Sequence, residues 1–178
     1  MKTDIVGIDN LGNGFTVAVD EADRAAEYVG LDRKDSLQLS LLAQELLCLA
    51  RSITGEVQAD FWIEATNRQF DLHLTTQTVM DADKRSMLIQ ATSSRKNEAA
   101  KGLLGVLRDK VEQMMVAQVD HSEEEIPMEL ASDVGGQVDE EPEWDGLERS
   151  VLLKVADSVK IGIRGGKVDI KVSKHFPE

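Results

Sequence analysis

A single cysteine, Cys48, is the first thing this chain of 178 residues has too little of. One thiol cannot close an intrachain disulfide or build a cysteine-rich metal site. Lying inside a leucine-rich run, Cys48 reads as a small buried hydrophobe. Histidine is nearly as scarce: His73, His121 and His175 are far apart, so no metal-ligand spacing emerges and no metal site is expected. Neither a Ser-His-Asp nor a Cys-His arrangement can be built from these spacings. There is also no apolar run of membrane-spanning length and no basic N-terminal region leading into one. The expectation is a cytoplasmic domain without a membrane partner.

Positive charge is missing from one stretch altogether. Between His121 and Glu148 the chain carries eleven acidic residues and no Lys or Arg, so this segment supplies most of the net charge of −13. The rest is nearly neutral, with no basic surplus to suggest nucleic acid. Pro127, Pro142 and Gly135-Gly136 mark the segment, at about 121–148, as an acidic loop insertion in one domain spanning 1–178. No spacing in it resembles a calcium-binding loop.

What is present is a mixed pattern. Phe15 to Val19 reads as a short strand, and Ala22, Ala25, Ala26 and Val29 then fall at helical spacing before Gly30. Asp32 or Asp35 can cap the next helix, whose apolar positions are Leu39, Leu42, Ala43, Leu46, Leu49, Ala50 and Ile53. Alternation in Ala59, Phe61, Ile63, Ala65 and in Phe70, Leu72, Leu74 predicts a hairpin around Asn67-Arg68. Trp62 and His73 fall on its outward phase. Asp83 can cap a helix running into Leu88. A second hairpin is predicted about Gly165-Gly166, with Val159, Ile161, Ile163 and Val168, Ile170, Val172 alternating. Helices grouped with antiparallel hairpins give an α+β class, a two-layer sandwich with a mostly antiparallel sheet and helices on one face.

The stretch from Ala91 to Val111 is suited to anions. Hydroxyl groups and the cations Arg95, Lys96 and Lys101 run into Gly102 and Gly105, then into a helix with Leu103, Leu104, Leu107 and Val111 on one side. Glycines let a backbone approach closely, and N–H groups at a helix start favour negative charge. The bland alternative is a loop followed by a core helix, with Met114 and Met115 as core.

The order of elements, with "YVGLD" ending one helix and "LSLLAQELLCLA" forming the next, resembles the histidine kinase-like ATPase (GHKL) domain. The anti-sigma-factor serine kinase branch is the most similar, from about Phe15 to Phe176. The resemblance implies an N box on the long helix, where Glu45, Leu46 and Ala50 match and Glu45 would be the catalytic base. The family's magnesium-binding Asn position is Leu49, which cannot ligate a hard cation, so magnesium is not expected. The adenine-reading Asp-x-Gly-x-Gly would fall on Thr75 to Met80, which holds neither Asp nor Gly. The family's phosphate-contacting lid corresponds to Thr92, Ser93, Lys96, Asn97, Lys101, Gly102 and Gly105. These residues imply a regulatory ATPase-like domain that holds ATP under its lid, with a protein partner and no kinase activity. The alternative is a protein-interaction module that keeps the fold and has lost the nucleotide site.

Overall fold

The computed structural model describes residues 1–9, 12–54, 58–99 and 146–177. Among the described residues nine elements follow in chain order: β1 (Val6–Ile8), α1 (Phe15–Val29), α2 (Arg33–Thr54), β2 (Ala59–Thr66), β3 (Gln69–Gln77), α3 (Ala82–Gln90), α4 (Gly146–Val155), β4 (Ser158–Arg164) and β5 (Lys167–His175). The strands form one antiparallel sheet in the order β1-β2-β3-β5-β4. Helices α1, α2 and α4 form a second layer over one sheet face, giving the α+β two-layer class that the patterning predicts.

Both predicted hairpins close on two-residue turns. Asn67 and Arg68 have φ of 49° and 63°, and Gly165 and Gly166 have φ of 55° and 80°. Two successive positive φ values match the twist of the flanking strands. At Gly166 the glycine is also required by space, because a β carbon there would lie 2.6 Å from the Thr78 carbonyl oxygen. Once the turns are fixed, period 2 sends Phe61, Ile63, Phe70, Leu72, Leu74, Ile161, Val168, Ile170 and Val172 into the core together.

The predicted strand at Phe15 to Val19 is instead the start of α1. Gly14 takes the left-handed conformation at the N-cap, and the Ala18 amide donates to the Gly14 carbonyl at 2.8 Å. Ala18 then falls in phase with Ala22, Ala25 and Ala26, all fully buried. This small-residue stripe faces the core, and tertiary burial overrides the local β preference of Thr16, Val17 and Val19. Gly30 ends the helix in the left-handed region, its amide donating to Ala26 and Glu27.

In α2 Asp32 is the cap, its carboxylate accepting from the Asp35 amide at 2.8 Å. The template positions Leu39, Leu42, Ala43, Leu46, Leu49 and Ala50 are buried as predicted, and the side chain of the seventh, Ile53, lies outside what the structure describes. Cys48 is half-buried rather than buried, one step off that stripe. The cap of α3 is Asp81, accepting from the Lys84 amide at 2.7 Å, two residues before the predicted cap at Asp83. Asp83 sits in the first turn, where its charge suits the helix dipole. Arg68 ties the layers together. Its Nε donates to the Phe176 carbonyl at 2.9 Å and its guanidinium meets Asp35 at 3.3 Å.

Of the acidic insertion, 121–145 lies outside the described residues, and 146–148 form the first turn of α4. Among the described residues no helix is long and apolar enough to cross a membrane.

Candidate functional site

The predicted site residues separate into three groups. Glu45 lies half-buried at the border of the α2 stripe, and Leu49, one turn on, is 4% exposed within the core. At the end of β3 the chain stays extended through Gln77. Thr75 Oγ1 donates to Asp169 at 2.8 Å and Thr76 Oγ1 to the Gln58 carbonyl at 3.0 Å, and the chain then passes to Asp81 and α3. Lys101, Gly102, Gly105 and the apolar helix predicted after them lie outside the described residues.

The third group, Thr92 to Asn97, has a defined structural task. Among the described residues β4 is the last strand of the sheet, and its outer backbone groups would otherwise lack a partner there. The segment 92–98 runs along this edge as a strap. The Ser93 amide donates to the Val159 carbonyl at 2.9 Å, and Ser93 Oγ accepts from the Val159 amide at 2.8 Å. The Glu98 amide donates to the Ile161 carbonyl at 2.9 Å. Asn97 is buried and acts like a strand residue through its side chain: Oδ1 accepts from the Ile163 amide at 2.8 Å, and Nδ2 donates to the Ile163 carbonyl at 3.0 Å. Thr92 is buried too, its hydroxyl donating to the Ile89 carbonyl at 2.7 Å. Arg95 turns the strap at φ 53°. Lys96 is exposed and makes no ion pair among the described residues. The structure brings these residues together in one segment and turns most of their polar atoms toward β4.

The sheet face opposite the helices carries a second constellation. Trp62 and His73 are cross-strand partners, and their rings stack at 4.8 Å with 1° between planes. Lys2 Nζ lies 5.2 Å from the Trp62 ring centre and 3.1 Å from Glu64. Glu64 also accepts from Trp62 Nε1 at 3.2 Å. Hydrogen bonds from Lys2 and Trp62 hold the Glu64 carboxyl below its ordinary range. Burial pushes the His73 imidazole below its usual value, and the neighbouring Glu64, 3.7 Å from Nε2, only partly opposes it. His73 is therefore mainly neutral at pH 7.

The row continues from His73 to Lys171 on β5 and Lys160 on β4, each directly across from the last. Asp71 sits 2.6 Å from Lys171 Nζ and accepts from Ser173 Oγ at 2.7 Å. Burial raises the Asp71 pKa, but these two donors outweigh it and hold the carboxyl low. Between this row and the strap lies a concavity of about 360 Å³, with Trp62, His73, Glu98, Ala99, Lys160 and Gly162 among the residues that line it. Sequence alternation puts Trp62 and His73 on the outward phase. Counting outward from the Asn67-Arg68 turn also pairs them, and that count is the signal by which a sequence alone could reveal the stack. Among the described residues no group of three or more His, Cys, Asp or Glu side chains could hold a metal ion.

No protein-family model matches the sequence, and no curated protein matches it.

Proposed function

We propose that this chain is a non-catalytic regulatory domain of the histidine kinase-like ATPase type, similar to the anti-sigma-factor branch, that works by binding a protein partner. The setting is the cytoplasm. The reading rests on the strap. Thr92, Ser93 and Asn97, the described lid residues with the best phosphate-binding side chains, spend their polar atoms on Ile89, Val159 and Ile163. An amide already paired at both ends cannot also hold a phosphate without opening the sheet edge. Leu49 in the core and the glycine-free passage from β3 to Asp81 support the same reading. A fold can persist while its site is lost, so these residues carry more weight than the architecture.

One observation favours a second reading. Lys96 is exposed and uncompensated among the described residues, so it can meet a nucleotide phosphate without a metal. Thermal unfolding with ATP and ADP, with and without magnesium, separates the two. A ligand at ~100 times its dissociation constant stabilises a fold by about 2.7 kcal/mol. No shift at millimolar nucleotide is the expected result. A shift that is independent of magnesium and lost in Lys96→Ala would replace the first reading by the second.

A further inference from the structure

The concavity beside the strap is lined by two opposite charges, each without an ionic partner. Lys160 is exposed and makes no ion pair among the described residues. It stands directly across from Lys171, a like-charge pair that destabilises a sheet. Glu98, half-buried on the strap, is held only by the neutral Ser94 hydroxyl at 3.2 Å. The other two charged side chains of the lining are compensated, Lys171 by Asp71 at 2.6 Å and Asp169 by Lys167 at 3.3 Å. With His73 mainly neutral, Lys160 and Lys171 balance Glu98 and Asp169, and one charge of each sign stays unpaired. A purely anionic or purely cationic ligand would satisfy one of these and be repelled by the other, whereas a ligand carrying both signs matches both.

The rest of the lining offers aromatic contact and room. The Trp62–His73 stack is part of it, as are Ala99 and Gly162. Gly162 lies inside β4, where glycine weakens a strand, yet its φ is outside the left-handed region and a β carbon would make only ordinary contact, 3.5 Å from Ala99 Cβ. Neither backbone nor packing demands a glycine here, and its missing side chain leaves space in the concavity. The volume of about 360 Å³ falls within the size of small-molecule sites.

We propose that this concavity binds a small aromatic zwitterion, an α-amino acid with an aromatic side chain. Its carboxylate meets Lys160, its ammonium meets Glu98, and its ring lies against the Trp62–His73 pair. Each charge-assisted contact goes to a group that has no ionic partner, and the ring adds apolar contact area. The carboxylate also relieves the Lys160–Lys171 repulsion. The site is separate from Glu45, and it does not rest on the reading of the chain as a protein-binding domain.

Calorimetric titration of the full chain with phenylalanine, phenethylamine, hydrocinnamate and glycine tests it, since the last three lack the carboxylate, the ammonium and the ring in turn. Phenylalanine should saturate one site and bind at least about tenfold more tightly than any of the others. Lys160→Gln and Glu98→Gln, which leave the backbone bonds of β4 and the strap in place, should each weaken it about tenfold, or ~1.4 kcal/mol. Gly162→Val should fill the concavity and abolish binding, and Lys96→Ala should leave it unchanged. The proposal is overturned by absence of saturation at millimolar phenylalanine, by unchanged affinity in either charge variant, or by phenethylamine, hydrocinnamate or glycine binding as tightly as phenylalanine.

Discussion

At the scale of single residues, His73 couples the sheet to pH. Its pKa is lowered by burial, so the unfolded chain, with an ordinary value near 6.5, binds more protons than the folded one in the window just below that pH. Stability therefore rises with pH through this window and is lost as pH falls below about 6.5. The carboxylates add a second loss of the same sign. Asp71 and Asp157 have folded pKa values below the ordinary 3.8, so their contribution is present above that pH and disappears in stronger acid. For Asp157, burial acts the other way and is outweighed by the His175 amide at 2.6 Å and Lys174 at 3.0 Å. Urea unfolding from pH 7 to pH 3 should show two descents, and His73→Phe, which keeps a stackable ring, should remove only the upper one. An unaltered upper descent in that variant would mean that another group titrates there.

At the scale of elements, the strap over β4 decides how the sheet ends. Asn97→Ala removes both bonds to Ile163 and leaves a buried amide and carbonyl unpaired, each at about 1–3 kcal/mol. Ser94→Ala, which loses only an exposed contact to Glu98, should cost almost nothing. Equal midpoints for the two variants in denaturant would show that the strap contributes nothing to the edge. The elements also show where sequence reading succeeds and where it stops. The two hairpins and α2 are legible because period and turn chemistry agree: Asn67-Arg68 and Gly165-Gly166 sit where the alternation breaks, and every assigned leucine on α2 is buried. Phe15 to Val19 misleads because five residues hold too little of a helical period to outweigh two valines and a threonine. The partner that decides, the buried stripe continuing from Ala18, lies further along the chain. For the candidate site, the polar grouping at 92–97 is legible, but its hydrogen-bond partners on β4 are 66 residues away, a distance that no local pattern encodes.

At the scale of the whole molecule, excess acid governs the response to salt. A net charge of −13 opposes compaction through its own repulsion. The surface ion pairs Lys2–Glu64, Lys167–Asp169 and Lys174–Asp157 act the other way, but exposed pairs contribute only about 0–1 kcal/mol each. Salt weakens both effects, so the sign of its influence tells which is larger. Raising sodium chloride from ~10 mM to ~150 mM shortens the screening length from about 30 Å to about 8 Å. The melting temperature should rise over that range. A fall would mean that the ion pairs contribute more than the excess acid costs.

The strap also sets a clock. Its bonds to β4 join parts of the chain 66 residues apart, whereas β4 and β5 close locally through a two-residue turn. Local hairpins form early and long-range closures late, so the outer edge of β4 is complete as a strand before its cover arrives. During that interval a newly synthesised chain presents Val159, Ile161 and Ile163 as an uncovered hydrogen-bonding edge that another copy can pair with. The same three residues that end the sheet in the finished fold are thus its point of exposure while folding, and the speed of one loop closure governs how long that exposure lasts.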